Sequence, residues 1–167
     1  MQSASADLNN NFLREQLKTL LSGGEAHIHF EDLIRDFPVE RINQLLEGIP
    51  YTAWQVLEHM RIAQWDIIEF ARNPDYVSPP FPEGYWPPPG DATPAMWQDA
   101  IATFKKDLQG LLEMLADENH KLFTPFPHGD GQTLLRQALL VADHNSYHIG
   151  VLTLMKRALT CSSSKEF

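Results

Sequence analysis

The sequence predicts an all-α fold, a four-helix bundle with long crossover connections. Three observations carry that prediction. Four segments place apolar residues at alternating steps of three and four, the mark of a helix that buries one stripe. No segment shows the strict apolar-polar alternation of a half-buried strand. The segments are divided by breaks rich in proline and glycine, with capping residues beside them.

In the first helix Leu8, Phe12, Leu13, Leu17, Leu20 and Leu21 follow Ser5, the expected N-cap, and Gly23-Gly24 ends the pattern. From Glu25 to Pro50, short clusters around Phe30, Leu33, Phe37, Ile42 and Leu46 are interrupted by Pro38 and Gly48. This reads as a connector with one or two short helical turns. Thr52 then caps a second helix of about five turns, with Trp54, Leu57, Met60, Trp65, Ile67, Ile68 and Phe70 ahead of the breaker Asn73-Pro74.

Eight of the twelve prolines lie from Pro74 to Pro94, and missing N–H groups at that density exclude both helix interior and central strand. Tyr76, Phe81, Tyr85 and Trp86 in this loop are unfavourable in water, so the loop is expected to pack over the mouth of the bundle. Thr93-Pro94 supplies a cap and an N1 proline to the third helix, whose stripe is Trp97, Ile101, Phe104, Leu108, Leu111 and Leu115. After the break Thr124–Gly131, the fourth helix runs to about Thr160 on Leu134, Ala138, Val141, Asn145, His148, Leu152, Met155 and Leu159. Asn145 and His148 thus fall in an otherwise apolar seam. One domain over residues 1–160 and a polar tail over 161–167 are the expected organisation.

Lys and Arg number 13 against 22 Asp and Glu, a net charge of −9, and such a field repels phosphate backbones and anionic lipid. No nucleic-acid or membrane partner is expected. No apolar run approaches the roughly 18–20 residues that cross a bilayer, and the N-terminus lacks a basic start and an apolar signal core. A cytoplasmic protein is expected. Cys161 is the sole cysteine, so a metal site would have to be built from histidine and carboxylate.

His144 and His148 stand one turn apart in ADHNSYHIG, so both rings project from one face of the fourth helix. His59, in WQVLEHMRIAQW, has Val56 and Ala63 one turn away on either side and is expected to point inward as well. Three interior imidazoles without a thiolate would leave a metal ion with open positions, a catalytic arrangement. The residues alone equally allow three core histidines bonded to backbone or carboxylate.

His27 and His29, flanking Ile28, are expected at the surface or lining a pocket; His120 at a helix C-terminus; and His128 in a loop. A zincin needs Glu directly after the first histidine of its pair, where this chain has Asn145, and a di-iron bundle needs Glu-x-x-His, which is absent. Covalent haem attachment is excluded by the lack of Cys-x-x-Cys-His. Candidates to orient the histidines are Asp66, seven residues beyond His59 on nearly the same face, and Asp143 and Asn145, which flank His144.

PYTAWQVLEHMRIAQWDIIEF and VADHNSYHIG, in that order, resemble the DinB/YfiT-like superfamily of metal-dependent proteins over about Leu8 to Leu159. The resemblance implies a DinB-like four-helix bundle in which His59, His144 and His148 bind a divalent ion such as zinc, nickel or iron. It also implies a homodimer, and a chemistry akin to low-molecular-weight thiol transferases and thiol-dependent isomerases. Relatives often continue the last motif with Gly-Gln; here Val151 follows Gly150, so a role for that glutamine is absent. The expected function is a metal-dependent transferase or hydrolase that activates a thiol cosubstrate or water toward a small-molecule electrophile. The alternative is a non-catalytic metal-binding or stress-response module.

Overall fold

Capping residues set the boundaries of the helices. In the computed structural model, which describes residues 2–23, 25–88 and 90–161, the long helices are α1 (Gln2–Ser22), α3 (Ala53–Arg72), α4 (Pro94–Ala116) and α5 (Leu134–Cys161). The connector after α1 holds the short α2 (Phe30–Arg35) and a 3-10 turn at Val39–Arg41, and a second such turn spans Glu83–Tyr85. Among the described residues there is no strand, only an isolated bridge between Pro125 and Thr133. The all-α bundle expected from the sequence is the observed one.

Thr52 forms a full capping box: its hydroxyl accepts from the Gln55 N–H at 3.2 Å, and its own N–H donates to Gln55 Oε1 at 2.9 Å. The hydroxyls of Thr93 and Thr133 accept from Met96 and Arg136 in the same way. One expected cap is corrected. α1 begins at Gln2, so Ser5 lies within the helix rather than at its start. Gly23 ends α1 with φ +74°, a left-handed conformation open to glycine, and its N–H meets the Thr19 and Leu20 carbonyls. α5 extends through Cys161, which is exposed; the remainder of the expected tail, 162–167, lies outside the described residues.

α1 and α3 each pack on both α4 and α5, so the four long helices form a ring in which α1 and α3 are diagonal. The long connectors make this possible, since a chain stepping from α1 to α3 must cross the end of the bundle. Arg14, buried on α1, ties the ring together by donating to the Leu115 and Asp117 carbonyls at the C-terminal end of α4.

The core has two apolar clusters. One gathers Trp54, Leu57, Met60, Trp97, Phe104, Leu152 and Met155; the other Leu17, Ile67, Ile68, Leu111, Leu115, Leu134 and Val141. Between them, at the level of Gln64 on α3 and Asn145 on α5, lies a polar layer. Gln64 Nε2 donates to the Phe104 carbonyl at 2.7 Å, and Asn145 Nδ2 donates to Gln64 Oε1 at 2.9 Å. A buried amide is tolerated only with such partners, so this layer fixes how α3, α4 and α5 sit against one another.

Candidate metal centre

The three expected histidines meet between α3 and α5. α3 delivers His59 from its middle, and α5 delivers His144 and His148 from one face. Their ring centroids are 5.0 Å (His59–His144), 4.8 Å (His59–His148) and 4.5 Å (His144–His148) apart. One ring nitrogen from each lies within 4.8 Å of the others. The Nε2 atoms of His59 and His144 are 3.1 Å apart. Metal–nitrogen bonds of about 2.0–2.1 Å put neighbouring ligands roughly 3.0–3.4 Å apart, so this pair already has the spacing of one coordination edge.

Protonation suits the same role. The Nδ1 of His59 lies 2.8 Å from the Tyr85 carbonyl, which can only accept, so Nδ1 carries the proton and Nε2 presents its lone pair. Burial pushes the pKa of His59 down, partly opposed by that carbonyl. Burial and then the neighbouring His59 bring His144 down to about 4, against the opposing influence of Asn145 and Asp143. Burial, followed by His144 and His59, brings His148 down to about 3. All three rings are therefore neutral near pH 7, the form that ligates metal. The Nδ1 atoms of His144 and His148 are buried without a hydrogen-bond partner. With Nδ1 of His59 protonated, its Nε2 accepts from His144 Nε2–H at 3.1 Å, a proton that an ion would replace, and three neutral imidazoles without a thiolate fit a divalent first-row ion with positions left open.

The proline-rich loop supplies a wall of the centre. Trp86 stacks on His59 at 4.2 Å with 9° between planes, and Tyr51 stacks on Trp86 at 4.1 Å. On the α5 side, Tyr147 meets His148 edge-on at 4.8 Å. Tyr85 donates its hydroxyl to Asp66 Oδ2 at 2.8 Å, and Tyr76 packs edge-on against Trp65 beside the same carboxylate. Burial and that carboxylate push the Tyr85 phenol up to about 12, and the same causes raise Tyr76. Loop packing over the bundle was expected for four aromatics; Phe81 departs from it, being 84% exposed.

Of the residues expected to orient the histidines, Asp66 is buried and reaches His59 only through Tyr85. Asn145 is buried and bonded to Gln64, and Asp143 is exposed on α5. Sequence reasoning passed over Gln64, although its place between Met60 and Ile67 in the α3 seam is the pattern that singled out Asn145. His27 and His29 are exposed and line a cavity of about 350 Å³ with Phe30, Phe104, Leu108 and Ile149, which none of the three central histidines lines. The His27 Nε2 is 3.2 Å from Ser146 Oγ. His128 is a loop residue, as expected, bonding the Phe70 carbonyl at 2.7 Å. His120 is corrected: α4 ends at Ala116, so His120 lies in the following loop, near Asp117, rather than in the last helical turn.

No curated protein and no solved structure matches the chain. A family model described as the DinB superfamily matches residues 26–152, a span that includes α3, α4, the proline-rich loop and all three central histidines. On that match, and with a helical bundle that brings those histidines together, the chain belongs to the DinB superfamily.

Proposed function

We propose that the chain is a metal-dependent enzyme in which His59, His144 and His148 hold one divalent ion, zinc, nickel or iron, and leave coordination positions open. The activated group is a low-molecular-weight thiol or water, and the reaction is its transfer to, or hydrolysis of, a small electrophilic substrate. The observation that carries this reading is the convergence of three neutral imidazoles from two helices on one point. When bound, such an ion lowers the pKa of a thiol or water beside it, so that thiolate or hydroxide exists near neutral pH.

The chain's own residues do the rest. His59 is held in one tautomer by the Tyr85 carbonyl, and Trp86 covers its face and keeps water from that side. His144 and His148, one turn apart on a continuous helix, keep a fixed separation. The net charge of −9 disfavours anionic macromolecules, and a small molecule is the proposed substrate. For a second copy of the chain, the surface we assign is the exposed face of α5, where Leu140, Tyr147 and Leu154 recur every seven residues. Sedimentation of Leu154→Asp as a monomer beside a dimeric parent supports that assignment, and unchanged mass removes it.

Metal content of the purified protein tests the central reading. One equivalent in the parent and a large loss in each of His59→Ala, His144→Ala and His148→Ala are expected. Retention in all three ends the proposal. Cobalt substitution then separates enzyme from a non-catalytic metal-binding or stress-response module: azide or a thiol should change the visible spectrum of an open centre, whereas a saturated one gives no response.

A further inference from the structure

We propose that Asp66 is a positioning residue for His59, acting through Tyr85, and that the proline-rich loop is thereby a working part of the centre. This rests on reading the three histidines as metal ligands. His59 and Asp66 are seven residues apart on α3, about 10 Å along its axis. Tyr85 bridges that distance as a splint laid along the helix. Its backbone carbonyl accepts from His59 Nδ1–H at one end, and its phenol donates to Asp66 Oδ2 at the other. Its neighbour Trp86 lies flat on the same imidazole. One loop dipeptide therefore sets the proton, the tilt and the covered face of His59, and Asp66 anchors that dipeptide.

The anchor is strong and the loop around it is stiff. A carboxylate accepting from a phenol makes a charge-assisted bond, stronger than a bond between neutral groups, and Asp66 is buried, where competition from water is small. Just before Tyr85, Gly84 donates its N–H to the Pro80 carbonyl at 2.7 Å. A Cβ there would lie 2.6 Å from Pro79 Cβ, so only glycine lets the loop close on itself at this point. The loop can then present the Tyr85 carbonyl without paying much ordering entropy when His59 binds an ion. A salt bridge or a direct contact from Asp66 to the ring is not needed. The acid acts at one remove, as the outer partners of ligating histidines commonly do, by fixing which nitrogen holds the proton.

Tyr85→Phe isolates the link, because it removes the hydroxyl and keeps the backbone carbonyl. Asp66→Ala removes the acceptor, and Asp66→Asn keeps its shape and one acceptor oxygen. Zinc affinity measured by chelator competition should weaken by about 10- to 100-fold in Tyr85→Phe and Asp66→Ala and by less in Asp66→Asn. Imidazole nitrogen NMR of the metal-free protein should show His59 as the Nδ1–H tautomer in the parent and as a mixture in Tyr85→Phe. Unchanged affinity together with an unchanged tautomer overturns the proposal. So does weaker binding that merely tracks a lower unfolding midpoint while the tautomer stays Nδ1–H, since that describes a loop anchor and nothing more. If the parent binds no zinc, the metal reading fails, and the tautomer of metal-free Tyr85→Phe still decides whether Asp66 controls His59.

Discussion

The bonded amides of the polar layer can be tested as a pair. Gln64 has no exposed surface and Asn145 is 7% exposed, and they share one bond of 2.9 Å. Replacing Gln64 by Leu removes that bond and leaves Asn145 Nδ2 buried without an acceptor, a loss of about 1–3 kcal/mol. The added apolar surface of leucine offsets part of it, so Gln64→Leu should destabilise by about 1–2 kcal/mol. Asn145→Leu strands Gln64 Oε1 in the same way but leaves the bond from Gln64 Nε2 to the Phe104 carbonyl intact, so its effect should be about the same or smaller. In the double variant neither group is stranded, and its loss should fall below the sum of the two singles by about 1–2 kcal/mol. Urea unfolding of metal-free protein measures all four species, with an unchanged slope as the check that only stability has moved. Additivity within about 0.5 kcal/mol would refute the reasoning, because it would mean that the two amides do not depend on one another.

Two further expectations concern the elements that carry the centre. Folding holds His144 at about 4 and His148 at about 3, against about 6.5 in the unfolded chain, with His59, His148 and Asp143 the titratable groups around His144. The unfolded chain therefore takes up protons that the folded protein does not, and stability complete above pH 6.5 is lost as the pH falls toward the folded values. The urea midpoint of metal-free protein should drop between about pH 7.5 and about pH 5, less steeply in His148→Gln; a midpoint equally steep in both would contradict this. Thr52→Ala opens the capping box of the helix that bears His59 and should remove about 1 kcal/mol, seen calorimetrically as a Tm lower by roughly 2–4 °C.

Local chemistry was legible along the chain. Thr52, Thr93-Pro94, Asn73-Pro74 and Gly23 mark helix ends by what their own atoms can do, and the structure places the boundaries there. Ser5 misled because a good capping side chain is only a local preference, and α1 starts before it. The spacing of His144 and His148 makes them face one way on any helix, and Asn145 stood out as a polar residue in an apolar seam.

Composition and periodicity therefore determined the helical class, most of the helix ends and the shared face of His144 and His148, since each depends on residues within a turn or two of one another. What only the tertiary structure decided is how segments far apart in sequence meet. The diagonal placement of α1 and α3 depends on packing between faces that any of several helix orders could bury. The reach of Tyr85 from the proline-rich loop to both His59 and Asp66 depends on a backbone carbonyl, which every residue carries and no side-chain pattern announces. The pairing of Gln64 with Asn145 is likewise set by how α3 lies against α5. Hydrophobic burial selects which faces turn inward; directional bonds between distant segments select the arrangement, and those exist only once the chain has folded.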